Sequence, residues 1–457
     1  MPINQEHTVI AGGGLAGSLL ALVLAERGHK VSVFEKRPDL RGTEAEGGRS
    51  INLALSERGL YALKQVGLGD EVLALTIPMY GRLIHAVDGS TKHLPYSNNP
   101  NEFIRSISRP GLNKLLLEAA SKNPQISLHF DTSVTSVLSH QNVLSVSDHR
   151  GVSKDVSYDV LFGADGAGSA IRAGLGLESP AFFSREMLEH GYKELEMPAL
   201  PDGSHVMPNN ALHIWPRGKY MLIALPNQDG SFTCTLFLPF EGAPGFNQLT
   251  DSDSVQQFFE AQFSDAVPLL PNLVDDFFSN PTGPLGTVRC SKWSLGGNAL
   301  ILGDAAHAIV PFFGQGMNCA FEDVSVLAEM LESGPASTGW PTLLSAFETR
   351  RIPDANAIAD MALENYIEMR DLVADPHFQL RRSVSLLLEQ RFPELFIPRY
   401  SLVSFNRLPY HRVMELGVLQ NQLLHQLCDE RDSGELKAVE DIDWELAEKL
   451  VKGLPRS

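Results

Sequence analysis

The stretch Thr8–Glu35 constrains this chain more than any other. It begins with the apolar run Val9-Ile10-Ala11, continues into the pattern Gly12-x-Gly14-x-x-Gly17, and passes through an Ala/Leu-rich segment to a second apolar run. This order predicts a strand, a glycine turn, a helix and a second strand, which is the βαβ unit of dinucleotide-binding folds.

Each glycine of the turn has a separate physical task. Gly12 permits the tight turn, Gly14 lets the backbone approach a pyrophosphate, and Gly17 lets the helix pack closely on the strand. The helix start offers unpaired N–H groups and a positive dipole to the phosphates. Glu35 follows about twenty residues on, where an acid accepts hydrogen bonds from a ribose 2′-OH. FAD and NAD are therefore favoured over NADP as the tightly held ligand. An ordinary βαβ unit with a glycine-rich turn is the alternative.

Length and charge exclude several classes of protein. The 457 residues allow two or three domains, and the net charge of −18 argues against nucleic acid or an anionic membrane as partner. We expect no metal site and a reduced, cytoplasmic chain, because the four cysteines are far apart and form no C-x-x-C pair. Apart from the glycine-patterned N-terminal stretch, no segment approaches the length of a membrane span, so we expect a soluble protein.

In two later motifs, an apolar run leads into a glycine turn that contains an aspartate. The apolar run at 158–162 meets Gly163-Ala164-Asp165-Gly166, a turn that can place Asp165 and backbone amides at the nucleotide phosphates. The run at 299–302 meets Gly303-Asp304-Ala305-Ala306-His307, where Asp304 suits a ribityl hydroxyl. A glycine-rich loop and a helix from about 318 to 332 follow, and the start of that helix supplies donors for an anionic flavin pyrimidine.

Strand patterns interrupt the α/β pattern. Residues 79–96 alternate around the turn Asp88-Gly89, and three further strand runs cover 211–215, 220–225 and 231–237. They predict an antiparallel sheet in a second domain interleaved with the first. We expect three parts. The FAD-binding domain comprises 1–78, 101–180 and 285–372, and the substrate-binding sheet domain comprises 79–100 and 181–284. The C-terminal helical region comprises 373–457.

The remaining sequence reads mainly as helices. Residues 109–122 and 356–370 have helical patterns, and the second places Asn365, Glu368 and Met369 on one face. A solvated or half-buried face is the simpler interpretation of that trio. Pro398-Arg399-Tyr400 is expected in a connecting loop.

The three motifs, in this order, resemble the group A flavin-dependent aromatic hydroxylases. The segments 48–55, 212–216, 310–318 and 365–369 resemble the kynurenine 3-monooxygenase family, and the resemblance extends to about Tyr410. It implies a p-hydroxybenzoate hydroxylase-like α/β fold: a Rossmann-like FAD-binding domain, an interleaved antiparallel β-sheet substrate domain and a C-terminal helical region. We expect no counterpart of the membrane anchor of the mitochondrial members, so the chain resembles the soluble bacterial type.

The resemblance also implies an activity. FAD stays bound, NADPH is a transient co-substrate, and a C4a-hydroperoxide of the flavin hydroxylates L-kynurenine at position 3 with O₂ as oxygen source. No nucleophile–base pair is required, so no catalytic side chain is assigned with certainty, and Glu368 is a candidate for orienting substrate or water. A homodimer is left open.

The family's functional positions fall on particular residues of this chain. The substrate carboxylate is assigned to Arg82 and Tyr96, because a guanidinium and a phenol together receive a carboxylate well; a surface arginine in a hairpin is the alternative for Arg82. The other substrate positions are Asn365, Tyr400, Glu368, Met369, Leu212, Met221, Ile223, Phe237, Phe312 and Phe313, the last standing where some bacterial members carry His. The FAD positions are Gly12, Gly14, Leu15, Gly17, Glu35, Arg37, Arg49, Arg109, Val134, Asp165, Asp304, Gly316, Met317 and Asn318.

Three other functions are weighed against this one. A hydroxylase of another aromatic acid, such as a benzoate or a quinolone, would share every motif. An NAD-linked dehydrogenase would leave Asp304 and the Asp165 turn unexplained. A flavin-binding redox sensor without turnover would not need the Arg82–Tyr96 pair.

Overall fold

The structure is a computed structural model that describes residues 6–42, 52–333, 339–373, 375–429 and 436–455. The chain divides into two units, each assembled from three separate segments. Unit 1 comprises Met1–Thr76, Ile107–Met187 and Gly286–Ala359. Unit 2 comprises Ile77–Ser106, Leu188–Leu285 and Asp360–Ser457.

The strands, in chain order, are β1 (His7–Ala11), β2 (Lys30–Phe34), β3 (Leu53–Leu55), β4 (Thr76–Met79), β5 (Gly81–His85), β6 (Thr91–Pro95), β7 (Ile104–Ile107), β8 (Ile126–His129), β9 (Thr132–Leu138), β10 (Val143–Asp148), β11 (Ser153–Ser157), β12 (Val160–Gly163), β13 (Phe183–Met197), β14 (Ala211–Pro216), β15 (Met221–Pro226), β16 (Phe232–Pro239), β17 (Gly283–Cys290), β18 (Ser294–Leu295) and β19 (Ala299–Ile301).

The helices are α1 (Leu15–Glu26), α2 (Glu57–Gln65), α3 (Gly69–Ala74), α4 (Arg109–Lys122), α5 (Ala170–Gly174), α6 (Ser252–Gln262), α7 (Leu273–Ser279), α8 (Asp304–His307), α9 (Gly316–Ser333), α10 (Gly339–Ile367), α11 (Pro376–Arg391), α12 (Arg399–Ser404), α13 (Tyr410–Cys428) and α14 (Trp444–Lys452). A π-helical turn, Glu368–Leu372, continues α10.

Unit 1 is built on a sheet with the strand order β18-β19-β12-β1-β2-β8. Its pairs are parallel except β18 with β19. Parallel strands joined by helices need cover on both faces, and α1 is accordingly buried at every position from Gly17 to Ala25. A second, antiparallel sheet of β9, β10 and β11 also belongs to this unit. The predicted βαβ unit and the predicted helix 109–122 are confirmed.

Unit 2 contains a sheet with the strand order β17-β13-β16-β15-β14-β5-β6. Strand periodicity sorts its side chains onto two faces. One face packs Trp215, Leu222 and Leu236 in a core with Phe259 of α6 and Phe277 of α7. The expectation of a purely antiparallel sheet is wrong at one pair, because β5 and β14 run parallel. These strands are more than one hundred residues apart and share no hairpin, so nothing in their connection requires an antiparallel pair.

The C-terminal helices do not form a third unit, which differs from the expected division. Helices α11, α13 and α14 share a small core that includes Val384, Leu388 and Val451. Side-chain hydrogen bonds tie α11 to the β5–β6 region: Arg382 Nη2 donates to the Pro95 carbonyl at 2.8 Å, and Asn98 Nδ2 donates to the Leu386 carbonyl at 2.8 Å. These bonds explain why 360–457 clusters with the sheet.

The segment Pro398-Arg399-Tyr400 is not a loop, contrary to expectation. Pro398 is the N-cap of α12, and Arg399 and Tyr400 form its first turn. Proline is compatible with a helix start because its missing N–H needs no partner there. Within the described ranges, no helix combines the length and the hydropathy needed to cross a membrane.

Candidate functional site

The glycine turn of unit 1 has the geometry that a dinucleotide cradle requires. Gly12 has φ +103°, and a Cβ there would lie 2.3 Å from the Ala164 carbonyl oxygen. A Cβ at Gly17 would lie 1.9 Å from the Gly12 oxygen, so α1 packs directly on the turn. Only glycine fits at either position. Gly14 is the N-cap of α1 and no side chain caps that helix, which leaves its first N–H groups available to phosphates.

Glu35 follows β2 as predicted and is buried with its carboxylate fully engaged. It accepts hydrogen bonds from the Gly13 N–H at 2.8 Å and from Arg37 Nε at 2.8 Å. Burial by itself raises the pKa of Glu35, but the bonds from Arg37 and Gly13 outweigh it and leave the pKa below its usual value. The acid is therefore ionised and fixed beside the glycine turn, as a ribose acceptor must be.

Neighbouring segments hold the other predicted nucleotide contacts. The N–H of Thr132 donates to the Glu35 carbonyl at 2.9 Å, which brings the start of β9, and with it Val134, to the Glu35 strand end. Arg109 is exposed at the first position of α4. Arg49 lies outside the described residues. The cofactor contacts of these residues stay predictions.

Asp165 has a local role that the sequence did not indicate. Its carboxylate accepts from Ser169 Oγ at 2.5 Å and from the Ile171 N–H at 3.1 Å, so both oxygens stabilise the turn that starts α5. Its Cα would lie 2.9 Å from a Cβ at Gly12. Asp165 thus shapes the second loop against the first, and direct contact with a phosphate stays a prediction.

The third loop carries Asp304 at the start of α8. It is preceded by Gly303, which has φ +58° and sits where a Cβ would lie 3.5 Å from the Cβ of Ala16 in the first turn of α1. Arg172 of α5 donates to the Ala305 carbonyl at 2.7 Å. The three loops therefore touch one another in a closed set: first with second, second with third, and third with first.

Asp304 differs from the other two acids. It is partly buried, and within the described ranges its carboxylate has neither a hydrogen bond nor an ion pair. Its carboxylate is therefore available to accept hydrogen bonds from a ligand. These groups together fit FAD, because the Asp304 carboxylate can accept hydrogen bonds while the start of α1 and its glycine turn can donate them.

The start of α9 is fixed by Asn318. Its amide donates to the carbonyls of Ala54 and Gly314, both at 2.8 Å, and its Oδ1 accepts from the Ser56 N–H at 3.0 Å. The side chain of Asn318 is therefore used within the protein, and a contact with the cofactor through its backbone stays a prediction, as do those of Leu15, Gly316 and Met317.

Unit 2 carries the predicted substrate residues on the sheet face opposite its core. Arg82 on β5 pairs with Leu212 on β14, and Met221 on β15 pairs with Phe237 on β16. Ile223 pairs with Ile214, two residues from Leu212 and on the same side. Period-two geometry thus brings Arg82, Leu212, Met221, Ile223 and Phe237 to one face. The predicted polar residue and the predicted apolar residues are contiguous.

Arg82 is the electrostatic centre of that face. Only 1% of it is exposed, and it donates to Glu368 Oε1 at 2.8 Å and to Asn365 Oδ1 at 3.4 Å. Burial acts to lower the pKa of Arg82, but Glu368, Tyr96 and Tyr400 outweigh it and raise the pKa. Asn365 at the end of α10, and Glu368 and Met369 in the π-helical turn, therefore do not form a solvated face. Asn365 and Glu368 both accept from Arg82, and Met369 accepts from the Asn365 amide at 3.4 Å.

Two tyrosines complete the arrangement. The rings of Tyr96 and Tyr400 stack with centroids 4.8 Å apart, and the Arg82 guanidinium lies 5.4 Å from the Tyr400 ring. Arg82 Nε and the Tyr96 hydroxyl are buried without a hydrogen bond of good geometry in the described part of the chain. Unpaired buried donors are costly, so these two groups are candidates for hydrogen bonds to a ligand.

Arg382 is a site residue that the sequence did not reveal. It lies on α11, and its charge acts on Arg82, Glu368, Tyr96 and Tyr400. Burial lowers its pKa first, and the neighbouring Arg82 lowers it further. Its Nε is buried without a partner among the described residues. The pair Arg381-Arg382 is visible in the sequence. However, the helical pattern of α11 does not predict that this helix contacts β6, where Arg382 donates to Pro95.

A second set missed from sequence is a buried charge cluster in unit 1. It contains His307 and five charged side chains from α2, α9 and α10, each at most 6% exposed: Arg58, Glu322, Asp323, Arg351 and Asp354. We call it the α9 charge cluster. Adjacent charges inside an apolar helix, Phe321-Glu322-Asp323-Val324, are the signal that points to it.

Phe312 and Phe313 lie in unit 1, in a 3₁₀ turn between α8 and α9, and both are buried. Their contact with substrate stays a prediction.

An FAD-dependent monooxygenase needs two parts: loops that together bind one dinucleotide, and a sheet domain with a buried cation beside apolar side chains. Both parts are present in this chain. The FAD binding domain family model matches residues 5–362. Solved structures agree on the fold: tetrameric 2-methyl-3-hydroxypyridine-5-carboxylic acid oxygenase has a TM-score of 0.66 at 20% identity, covering 84% of this chain and 98% of that one. Pseudomonas aeruginosa PqsL in complex with 2-aminobenzoylacetate has a TM-score of 0.65 at 21% identity, covering 81% and 98%.

Curated relatives place the chain more narrowly. Kynurenine 3-monooxygenase of Myxococcus xanthus is 46% identical over 98% of this chain and 95% of its own length. The Stenotrophomonas maltophilia enzyme of that name is 44% identical over 97% and 95%, and the Dictyostelium discoideum enzyme is 41% identical over 98% of both chains. This chain belongs to the kynurenine 3-monooxygenase family. The predicted fold class and the predicted cofactor, FAD, are confirmed.

Proposed function

We propose that this protein hydroxylates L-kynurenine at position 3, giving 3-hydroxy-L-kynurenine, with FAD as bound cofactor and NADPH and O₂ as co-substrates. The observation that carries the proposal is the buried Arg82, which has an unpaired Nε and shares its sheet face with apolar side chains. An amino acid with an aromatic side chain presents the complementary groups: a carboxylate, an ammonium and a ring.

The chain's own residues bind and orient. Arg82, Tyr96 and Arg382 receive the carboxylate, since charge-assisted bonds in a buried site are strong and directional. Glu368 is the anion on the same arginine and is ionised: burial raises its pKa, but Arg82 and Arg382 outweigh that effect and lower it. Leu212, Met221, Ile223 and Phe237 hold the ring in an environment from which water is excluded.

In unit 1, the glycine turn, Glu35, Asp304 and the uncapped start of α1 hold FAD. Once bound, FAD supplies the redox chemistry and oxygen activation that amino-acid side chains lack. The protein's task is then to position the reactants and exclude water, which accounts for the absence of any required nucleophile–base pair in the proposal.

Four free, buried cysteines in the described structure support a reducing compartment, and we propose the cytoplasm. A homodimer remains part of the proposal; size-exclusion chromatography with light scattering tests it.

The test is a visible spectrum of the purified protein followed by NADPH oxidation with and without L-kynurenine, with product identification. We expect a flavin spectrum, slow oxidation alone, acceleration by kynurenine and 3-hydroxykynurenine as product. Acceleration by a benzoate or a quinolone but not by kynurenine would indicate a different aromatic hydroxylase. A flavoprotein that no aromatic acid accelerates would indicate a sensor.

A further inference from the structure

The α9 charge cluster lies directly behind the third FAD loop. Asp323 of α9 is its central residue and is fully buried. One of its oxygens accepts from the Gly303 N–H at 3.0 Å and from His307 Nε2 at 2.5 Å, and the other accepts from Arg351 Nε at 2.9 Å. Three donors therefore converge on one carboxylate, and two of them belong to the loop that carries Asp304.

The groups bonded to the buried Asp323 carboxylate favour a protonated His307. Arg58 and Arg351 bring two positive charges, and Glu322, Asp323 and Asp354 bring three negative charges. A protonated imidazole adds a positive charge directly beside Asp323, and a carboxylate that is removed from water needs such a partner. The hydrogen bond places a proton on His307 Nε2, since a carboxylate can only accept.

The surroundings of His307 on its other sides are consistent with a cation. Its Nδ1 lies 3.8 Å from Cys319 Sγ, and the indole of Trp293 stacks on the imidazole with centroids 5.0 Å apart. Burial lowers the pKa of His307, but Asp323 and Cys319 outweigh burial and raise the pKa well above its ordinary value.

A metal centre does not fit the same residues. His307, Cys319 and Asp323 offer ligand atoms within 4.8 Å of one another. However, Cys319 and Asp323 contact opposite nitrogens of the ring, and the Arg351 guanidinium already binds Asp323. A metal cation would meet a fixed positive charge there. The arrangement is a hydrogen-bonded charge cluster.

We propose that His307 is a permanently protonated positioning residue which, through Asp323, locks the Gly303 peptide in its left-handed conformation and thereby aims the Asp304 carboxylate at FAD. The inference rests on the FAD site of the proposed function. Gly303 is the hinge, because it has φ +58° and directly precedes Asp304. A neutral residue at 307 would remove one of the two cations that Asp323 binds, and the loop would relax at this glycine.

The test is a double-mutant cycle read out as FAD affinity. Asp304→Asn, His307→Gln and the double variant are compared with wild type by following the fluorescence of FAD released when the holoenzyme is diluted. Each single change is expected to raise the Kd for FAD about tenfold or more. The double variant is expected to match the weaker-binding single variant within about threefold, because both changes remove the same contact.

Asp354→Asn is the matched control. Asp354 binds Arg351 Nη1 at 3.1 Å, whereas Asp323 binds Arg351 Nε, so this variant disturbs the cluster at the guanidinium nitrogen that does not hold Asp323. We expect its thermal unfolding midpoint to fall as in His307→Gln while its Kd for FAD stays within about threefold of wild type. An equal loss of FAD affinity in Asp354→Asn would show a merely structural role and overturn the inference.

The remaining outcomes separate the two claims. Asp304→Asn with unchanged affinity would overturn the assignment of Asp304, and the inference with it. Weakened FAD binding in Asp304→Asn combined with wild-type affinity in His307→Gln, or with additive effects, overturns the positioning role alone. If His307→Gln does not fold, Asp323→Asn takes its place in the cycle. In wild-type holoenzyme, nitrogen NMR at pH 8 is expected to show both ring nitrogens of His307 protonated; a neutral ring overturns the proposal.

Discussion

Replacing Arg82 by Met tests the substrate site most directly. The change keeps an unbranched side chain of similar length and removes the guanidinium that Glu368 and Asn365 now share at 2.8 and 3.4 Å. Two effects follow: the ion pair within the protein is lost, and so is the receiver of the substrate carboxylate.

The two effects have different sizes and different readouts. Removing one partner of a buried ion pair costs about 3–5 kcal/mol, and the lower end applies because 20% of the Glu368 side chain is exposed. Losing a charge-assisted hydrogen bond to the substrate costs about 1.5–3 kcal/mol. The second figure corresponds to a rise in KM of roughly 10- to 150-fold. We therefore expect reduced stability and a KM for kynurenine raised within that range.

The double variant Arg82→Met/Glu368→Gln separates the effects. It removes the stranded carboxylate, so the free energy of unfolding should recover by about 2 kcal/mol relative to the single variant. If Arg82 binds substrate, the KM from NADPH oxidation at varied kynurenine should stay about tenfold or more above that of Glu368→Gln. A KM within about twofold of Glu368→Gln would mean that Arg82 only supports Glu368, and the reasoning would be refuted.

Three further predictions concern other elements. Arg382→Met should raise the KM several-fold, by about 1 kcal/mol, whereas its neighbour Arg381→Met, whose partner is Asp429 at 3.3 Å, should not; equal effects would contradict a role of Arg382 in the site. Gly12→Ala should yield protein without FAD, because its Cβ would lie 2.3 Å from the Ala164 oxygen, while Gly67→Ala, with φ +73° and open space, should cost only about 1–2 kcal/mol by chemical unfolding. His213 lies on β14, where its ring is buried on the core face of the sheet and donates to the Pro208 carbonyl at 2.7 Å. Its pKa is lowered to about 4, mainly by burial. The folded state therefore binds fewer protons than the unfolded state between about pH 4 and 6.5, and the free energy of unfolding should fall by about 2 kcal/mol from pH 7.5 to 5. His213→Gln should show a shallower decline; an identical pH profile would contradict the assignment.

Local patterns predicted the elements well because they depend on neighbours in the chain. The order strand, glycine turn, helix and strand at 8–35 followed from residue spacing alone, and so did α4 at 109–122 and the hairpin of β5 and β6. The same patterns are wrong at Arg399-Tyr400, which they assign to a connecting loop although Pro398 is the N-cap of α12. They also failed at the β5–β14 pair, because strand direction depends on a long connection that carries no local signal.

The sequence by itself determined that this protein holds a dinucleotide, and family resemblance named Arg82, Tyr96, Asn365 and Tyr400 in advance. Gly12 has a left-handed φ, and a Cβ there would lie 2.3 Å from a carbonyl oxygen, so the structural requirement is visible in the sequence as the residue type itself. Only the tertiary structure decided that Arg382 joins Arg82, that Asp165 serves its own turn, and that Asp323 and Arg351 stand behind Asp304. The Asp165 turn is local, but the other arrangements join residues tens to hundreds of positions apart. The strength of a buried charge also depends on which partners surround it, and residue spacing cannot express that.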